Sequence, residues 1–198
     1  MMLKTAVLFL HLIAMAVAVG KILEFDLRFL PQARAPLTRE GIASLKLTKA
    51  IVAGSLAVLW ITGATLILLG MQESPAYLQN EKLWVKVLIV AALTVNGWVM
   101  HRWAFPVMQG DTAFLELAKP QMLGLAALAV ISSVSWMYAS FLGVARSWNH
   151  TVSFAYPLAV YAVVLMTGWA AASALLLWLR QSSKRSSRKQ QRSPCPQG

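Results

Sequence analysis

The chain has 198 residues, of which 58% are hydrophobic and only 7 are Asp or Glu. The polar residues are too few to cover the surface of a water-soluble domain of this size. We therefore expect a lipid bilayer as the solvent of this chain. The net charge of +11 lies in short loops and a tail beside apolar segments, which favours membrane orientation over nucleic-acid binding. A single cysteine, Cys195, excludes an internal disulfide, a Cys-based zinc site and an iron–sulfur cluster.

Five segments lack formal charge for long enough to cross a membrane: residues 5–20, 50–70, 87–100, 121–145 and 151–179. The first and third are short, but each reaches about 20 residues if Lys21 or Lys86 snorkels. Backbone groups in lipid need internal partners, so the spans are predicted to be helices. Prolines mark the predicted ends, among them Pro31 and Pro106. We predict an all-α polytopic membrane helix bundle of five transmembrane helices in residues 1–180 and a disordered basic cytoplasmic tail in residues 181–198.

The basic residues predict the orientation. If the N-terminus is outside, 14 of the 18 lysines and arginines fall on the cytoplasmic side, in agreement with the positive-inside rule. The four on the outer side are Lys4, Lys82, Lys86 and Arg146. We therefore predict an N-out/C-in topology.

The first segment has a second interpretation, a secretory signal. Lys4, an apolar run and Ala16-Val17-Ala18 resemble the parts of such a signal and its cleavage site. Cleavage would leave four spans and put the basic loop 21–49 outside, against the charge bias. His11 also interrupts the apolar run, so we favour an uncleaved span.

Ionisable side chains inside spans cost several kcal/mol unless they have partners, and each is a functional candidate. His11 lies about 9 Å below the outer edge of the first predicted helix, and Lys86 about 5 Å below that of the third. Arg146 and His150 follow in the loop before the fifth helix. The outer acids are Glu73 and Glu81.

This predicted cluster suits an anionic, metal-centred or redox-active ligand. A neutral imidazole can bind haem iron axially, while Lys and Arg can neutralise propionates or a quinone oxygen. The alternative is that Lys86 and Arg146 snorkel to the headgroups and that His11 hydrogen-bonds a neighbouring helix.

On the third helix, Lys86, Gly97 and His101 project within about 60° of one another, in a stripe beside Asn96 that can face the bundle interior. His101 lies about 22 Å along the axis from Lys86, near the cytoplasmic edge. His11 and His101 therefore cannot both ligate one iron. His101 either serves a second site or lies at the interface next to Arg102.

Small residues predict close helix contacts. Ala16 and Gly20 form a small-xxx-small pair, and Gly54, Gly63 and Gly97 could act similarly.

Several of these residues resemble motifs of small bacterial inner-membrane proteins related to the copper-resistance CopD and HemJ-like group. The matching residues are His11 to Gly20 with Asp26-Leu27-Arg28, then Trp84-Val85-Lys86 through Asn96 to His101, and Ser135-Trp136 with Gly143 and Arg146. HemJ-type proteins are membrane protoporphyrinogen oxidases associated with b-type haem, and CopD-like proteins are linked to copper handling. The resemblance implies a bacterial inner (plasma) membrane protein.

From the cluster and this resemblance we predict binding of haem b or another tetrapyrrole near the outer face, with electron transfer. His11 would be the metal ligand, and Lys86, Asn96, His101 and Arg146 would contact the cofactor. An enzyme of this kind would be a membrane oxidoreductase, with a quinone, a respiratory partner or a second copy of the chain as possible partners. The alternatives are a non-enzymatic membrane subunit or assembly factor, and a copper transport or resistance protein.

Overall fold

The chain folds into five long helices. The computed structural model describes the backbone of residues 2–192 and the side chains of residues 2–183. The long helices are α1 (Met2–Gln32), α2 (Arg39–Glu73), α3 (Glu81–Val99), α4 (Lys119–Val144) and α5 (Ala155–Arg192). Each carries most of one predicted apolar segment, and the described residues contain no strand.

All five helical regions are long and apolar enough to cross a membrane. The predicted all-α bundle of five spans is therefore confirmed, and the chain is an integral membrane protein. We call the end of the bundle where α1 begins the outer end, after the predicted orientation, and the opposite end the inner end. That orientation stays a prediction.

The first two helices extend beyond the predicted spans and form a long hairpin. Helix α1 has 31 residues and α2 has 35, or about 46 and 52 Å, whereas the hydrocarbon core is about 30 Å thick. Thr38 begins α2, since its Oγ1 accepts a hydrogen bond from the Gly41 N–H at 3.1 Å. Pro31 lies in the last turn of α1 and does not end it earlier.

Pro106 does not end the third span, contrary to the prediction. The helix continues through a π-helical segment, Met100–Ala104, into the helical turn Phe105–Met108. The Phe105 N–H bonds the Met100 carbonyl five residues back. Since proline has no N–H to donate and its ring crowds the preceding turn, a local π-helical turn lets the chain continue past it.

Helix α4 is the most enclosed of the five spans and packs against α1, α3 and α5. Its buried side chains include Met122, Trp136 and Leu142. On α1 the buried small residues are Ala14 and Ala18, whereas the predicted pair, Ala16 and Gly20, is exposed. The prediction of that pair was wrong because a shift of two residues turns a helix by about 200°.

The polar tail begins within a helix. The backbone of α5 is helical to Arg192, so the helix continues into the segment predicted to be a disordered tail. The boundary between residues 180 and 181 stays a prediction, and residues 193–198 lie outside the described part.

Candidate functional site

A pocket of about 230 Å³ opens at the outer end of the bundle. It lies between the 3-10 turn Pro75–Gln79, the start of α3, the end of α4 and the 3-10 turn Arg146–Trp148. Its lining residues are Tyr77, Asn80, Lys82, Leu83, Lys86, Gly143, Arg146 and Asn149. Three of these are cations and none is an acid. We call it the outer pocket.

Lys82 is the most deeply enclosed of the three cations, with only 3% of its surface exposed. Its Nζ donates a hydrogen bond to the Ala145 carbonyl at 2.6 Å, at the C-terminal end of α4. A cation is favourable there because the C-terminal end of a helix carries partial negative charge. An ammonium group has three N–H donors, so this bond leaves two that can serve a ligand.

Lys86 stands one helical turn after Lys82 and is half-buried. The buried face of α3 runs through Lys82, Val85, Ile89 and Leu93, at the three- and four-residue spacing that keeps side chains on one side of a helix. Lys86 follows that spacing, and the positive charge of Lys82 acts on it directly. Two like charges therefore share one wall of the outer pocket.

The acids at the outer end are engaged elsewhere. Glu73 forms an ion pair with Lys4, and Glu81 accepts a hydrogen bond from the Phe154 backbone N–H. Among the side chains of residues 2–183, no carboxylate pairs with Lys82, Lys86 or Arg146. The outer pocket thus has positive charge without a protein counter-ion.

Two neutral residues complete the pocket wall. The ring of Tyr77 packs against Gly70, where a Cβ would be only 2.6 Å from the tyrosine Cζ. Asn80 precedes α3, and its Oδ1 is buried without a hydrogen-bond partner. The O and N of a side-chain amide are assigned from their surroundings, so a rotation of this amide would place its NH₂ group where Oδ1 lies.

His11 lies beside α2 and does not line the outer pocket. Its Nδ1 is 2.8 Å from the Thr62 Oγ1, and its Cε1 is 3.7 Å from the position of a Cβ on Gly63. It is close enough to Lys86 for their charges to interact. The hydrogen bond to a neighbouring helix matches the structural alternative for His11, and it leaves Nε2 as the nitrogen that could bind a ligand.

Asn96 joins two helices. Its Nδ2 donates to the Leu128 carbonyl of α4 at 3.1 Å, and it lies 3.6 Å from the Met100 sulfur. Asn96 is buried, but it lies about 15 Å along α3 from Lys86, so the two do not share a pocket.

His101 and His150 lie apart from the other candidates. His101 is exposed in the π-helical segment, with its ring 5.8 Å from that of Phe105, and Lys49 lies over the same phenylalanine ring. Gly97 faces open space, so the predicted interior stripe from Lys86 to His101 does not form. His150 is exposed, has a φ of 58°, and is not part of the outer pocket.

No group of three or more His, Cys, Asp or Glu side chains that could hold a metal ion occurs among the described residues. The comparisons with family models, with curated proteins and with solved structures found no match for this chain. The resemblance to the CopD and HemJ-like group therefore stays a prediction.

Sequence reasoning brought Lys86 and Arg146 together but did not include Lys82, Tyr77 or Asn80. The spacing of four residues between Lys82 and Lys86 was a usable signal, since it puts both on one helix face. The burial of Lys82 could not be read from it, because it depends on the Ala145 carbonyl at the end of another helix.

Proposed function

We propose that this integral membrane protein binds a phosphate-class anion in its outer pocket, through Lys86 and Arg146 with Lys82 behind them. The observation that carries the proposal is the set of three cations around one pocket with no acid in its lining. The orientation predicted from charge would make this the periplasmic face of a bacterial inner membrane.

Unpaired charge in the wall of the outer pocket is costly. A buried cation loses its hydration and is tolerated when a partner of opposite charge compensates for it. Here the protein supplies one carbonyl oxygen to buried Lys82 and no carboxylate to Lys82 or to half-buried Lys86, while Arg146 is exposed and also lacks a carboxylate partner among the described side chains. A bound anion would offset the repulsion between Lys82 and Lys86. It would also accept hydrogen bonds from their free N–H groups and from the Arg146 guanidinium.

The size of the outer pocket favours a small anionic group. Pockets for drug-sized ligands span about 300–1,000 Å³, and this pocket, at about 230 Å³, is smaller. A free phosphate and the phosphate of an anionic lipid headgroup share the chemistry that this lining would recognise.

The experiment uses the full chain purified in detergent. Calorimetric titration with inorganic phosphate measures the free anion, and native mass spectrometry after addition of phosphatidylglycerol measures the lipid. We expect at least one of them to bind, and Lys86→Gln and Arg146→Gln each to weaken that binding about tenfold or more, since a hydrogen bond to a charged group contributes about 1.5–3 kcal/mol.

The matched control is Lys46→Gln, which removes the same charge from an exposed position near the start of α2. It should leave binding unchanged, whereas raised salt should weaken binding of the free anion. If neither phosphate nor phosphatidylglycerol binds, the proposal is wrong. It is also wrong if Lys86→Gln and Arg146→Gln both bind as the wild type and Lys46→Gln do.

Haem b or another tetrapyrrole at His11 remains a second candidate. The contact between Thr62 and Nδ1 supports it, because metal-ligating histidines commonly use their other nitrogen in a hydrogen bond that orients the ring. The outer pocket does not fit it, since that pocket is small for a macrocycle and excludes His11. A Soret band in protein from haem-replete cells, lost in His11→Ala and kept in His150→Ala, would support it, and a colourless preparation would end it.

The remaining predictions are tested partly in cells and partly with the purified protein. Copper transport predicts copper sensitivity of cells that lack the protein, and a subunit or assembly factor predicts stable co-purification with a partner complex. Metal content measured beside the phosphate titration separates copper binding from anion binding.

A further inference from the structure

A carboxylate in the first span faces a helix that carries no charge along its apolar length. Asp26 on α1 accepts a hydrogen bond from the Ser133 hydroxyl of α4 at 2.7 Å. Ser133 lies 14 residues after Lys119 and 11 before Val144, near the middle of α4. Between Pro120 and Ala145 this helix has no Asp, Glu, Lys, Arg or His.

The cations nearest to Asp26 along α1 have another partner. Lys21 pairs with Glu24 at 2.8 Å, and Arg28 pairs with the same carboxylate at 3.1 Å. Lys21 and Arg28 thus both pair with Glu24, and neither forms an ion pair with Asp26.

The other helices that pack near α1 do not supply a counter-ion either. Helix α4 offers Ser133 and no Asp, Glu, Lys, Arg or His over its apolar length. Helix α2 carries four charged residues in its first turns, and none of them forms an ion pair with Asp26 among the described side chains. These four are Arg39, Glu40, Lys46 and Lys49.

The environment of Asp26 therefore favours the neutral acid. An ionised carboxylate inside a span costs several kcal/mol unless a cation or several donors compensate for it, and here one hydroxyl donates. A protonated carboxyl has one O–H donor and retains acceptor capacity, which matches a serine hydroxyl that can donate and accept.

We infer that Asp26 and Ser133 form a proton-binding site between α1 and α4, in which the Asp26 carboxyl holds a proton at neutral pH. The ligand is the proton itself, and the site is separate from the outer pocket. Ion pairs keep Glu24 ionised two residues away, so the two carboxyls of α1 differ in charge.

Infrared spectroscopy of the full chain in a detergent without ester carbonyls tests this site directly. The C=O stretch of a protonated carboxyl is separate from the bands of ionised carboxylates. At neutral pH we expect this stretch in the wild type, its loss in Asp26→Asn, and its retention in the matched control Glu24→Gln. Ser133→Ala should move the stretch to higher frequency, because it removes a hydrogen bond from the group.

Each outcome decides the inference. A spectrum in which Asp26→Asn removes only an ionised carboxylate band overturns it. If Asp26→Asn fails to fold, the other two variants still test the assignment. A C=O stretch that does not shift in Ser133→Ala contradicts it, and so does a C=O stretch that is lost in Glu24→Gln. Phosphate binding by the outer pocket is unaffected by either result.

Discussion

Lys82 connects the stability of the bundle with the charge of the outer pocket. Its ammonium group binds the Ala145 carbonyl, where it joins the start of α3 to the end of α4, and the same charge acts on Lys86. A buried residue with both roles is difficult to study by substitution, because its loss removes a helix contact together with a ligand contact. Lys86 and Arg146 are therefore the better probes of binding.

Gly70 is a position where the shape of the pocket depends on the absence of a side chain. In Gly70→Ala the new Cβ would overlap the Tyr77 ring, three of whose atoms would lie within 2.7 Å of it. We expect a loss of stability of about 1–3 kcal/mol, as for other overpacked sites. The loss would appear as a lower midpoint of thermal unfolding in detergent, with weaker phosphate binding because Tyr77 is displaced.

The control for this prediction is Gly54→Ala in the same helix, where a Cβ would meet nothing within 4 Å. It should be neutral or slightly stabilising, since alanine is the better helix former. Equal unfolding midpoints for the two variants would show that the Tyr77 ring does not rest on Gly70.

At the scale of helices, the sequence predicted the number and order of spans but not their ends. Apolar length and charge identify what crosses the bilayer, and they carry little information about how far a helix continues beyond its apolar segment. Helix α1 therefore extends to Gln32 through Lys21, Glu24 and Asp26, residues that looked like the start of a loop. The acid at position 26 was overlooked as an intramembrane group for that reason.

Contacts between helices were the least predictable feature. Small residues mark possible close approaches, but the choice among them depends on the rotation of each helix and on its partner. Gly70 and Gly124 receive the rings of Tyr77 and Trp103, and neither was singled out, because each contact involves a residue outside the predicted apolar segments. The break at Pro106 was misplaced for a related reason, since a π-helical segment lets the helix continue.

The candidate site was predictable in part. The outer position of Lys86 and Arg146 followed from topology, and both line the outer pocket. His11 was grouped with them by its depth, and Asn96 and His101 came from a helix stripe and the motif resemblance. The structure separates these three into an α1–α2 contact, an α3–α4 contact and an exposed position at the inner end. Shared depth therefore predicted residues at the outer end, but not which of them face the same pocket.

At the scale of the whole molecule, the two proposed sites occur at different depths along α4. The outer pocket includes Gly143 near the end of this helix, and Ser133 lies about 15 Å below it. Orientation decides which of them is closer to the cytoplasm. Orientation therefore sets the side of the membrane on which each site would meet its ligand, and not the binding itself.

The single cysteine provides a direct test of that topology. Cys195 lies in the basic tail, outside the described residues, and the five-span prediction places it in the cytoplasm. A membrane-impermeant maleimide should label it in inverted vesicles and not in intact spheroplasts. In a Cys195→Ser chain, His150→Cys should show the opposite pattern, because the loop before α5 then faces outward.

The same labelling separates the five-span chain from a chain cleaved after Ala18. Cleavage would leave four spans, turn the basic loop outward and exchange the sides of the two cysteines, so that spheroplasts would label Cys195. It would also remove Lys4 and His11, and with them the contacts to Glu73 and Thr62. An intact mass that matches a chain starting near Val19, together with outward labelling of Cys195, would contradict the orientation and move the outer pocket to the cytoplasmic side.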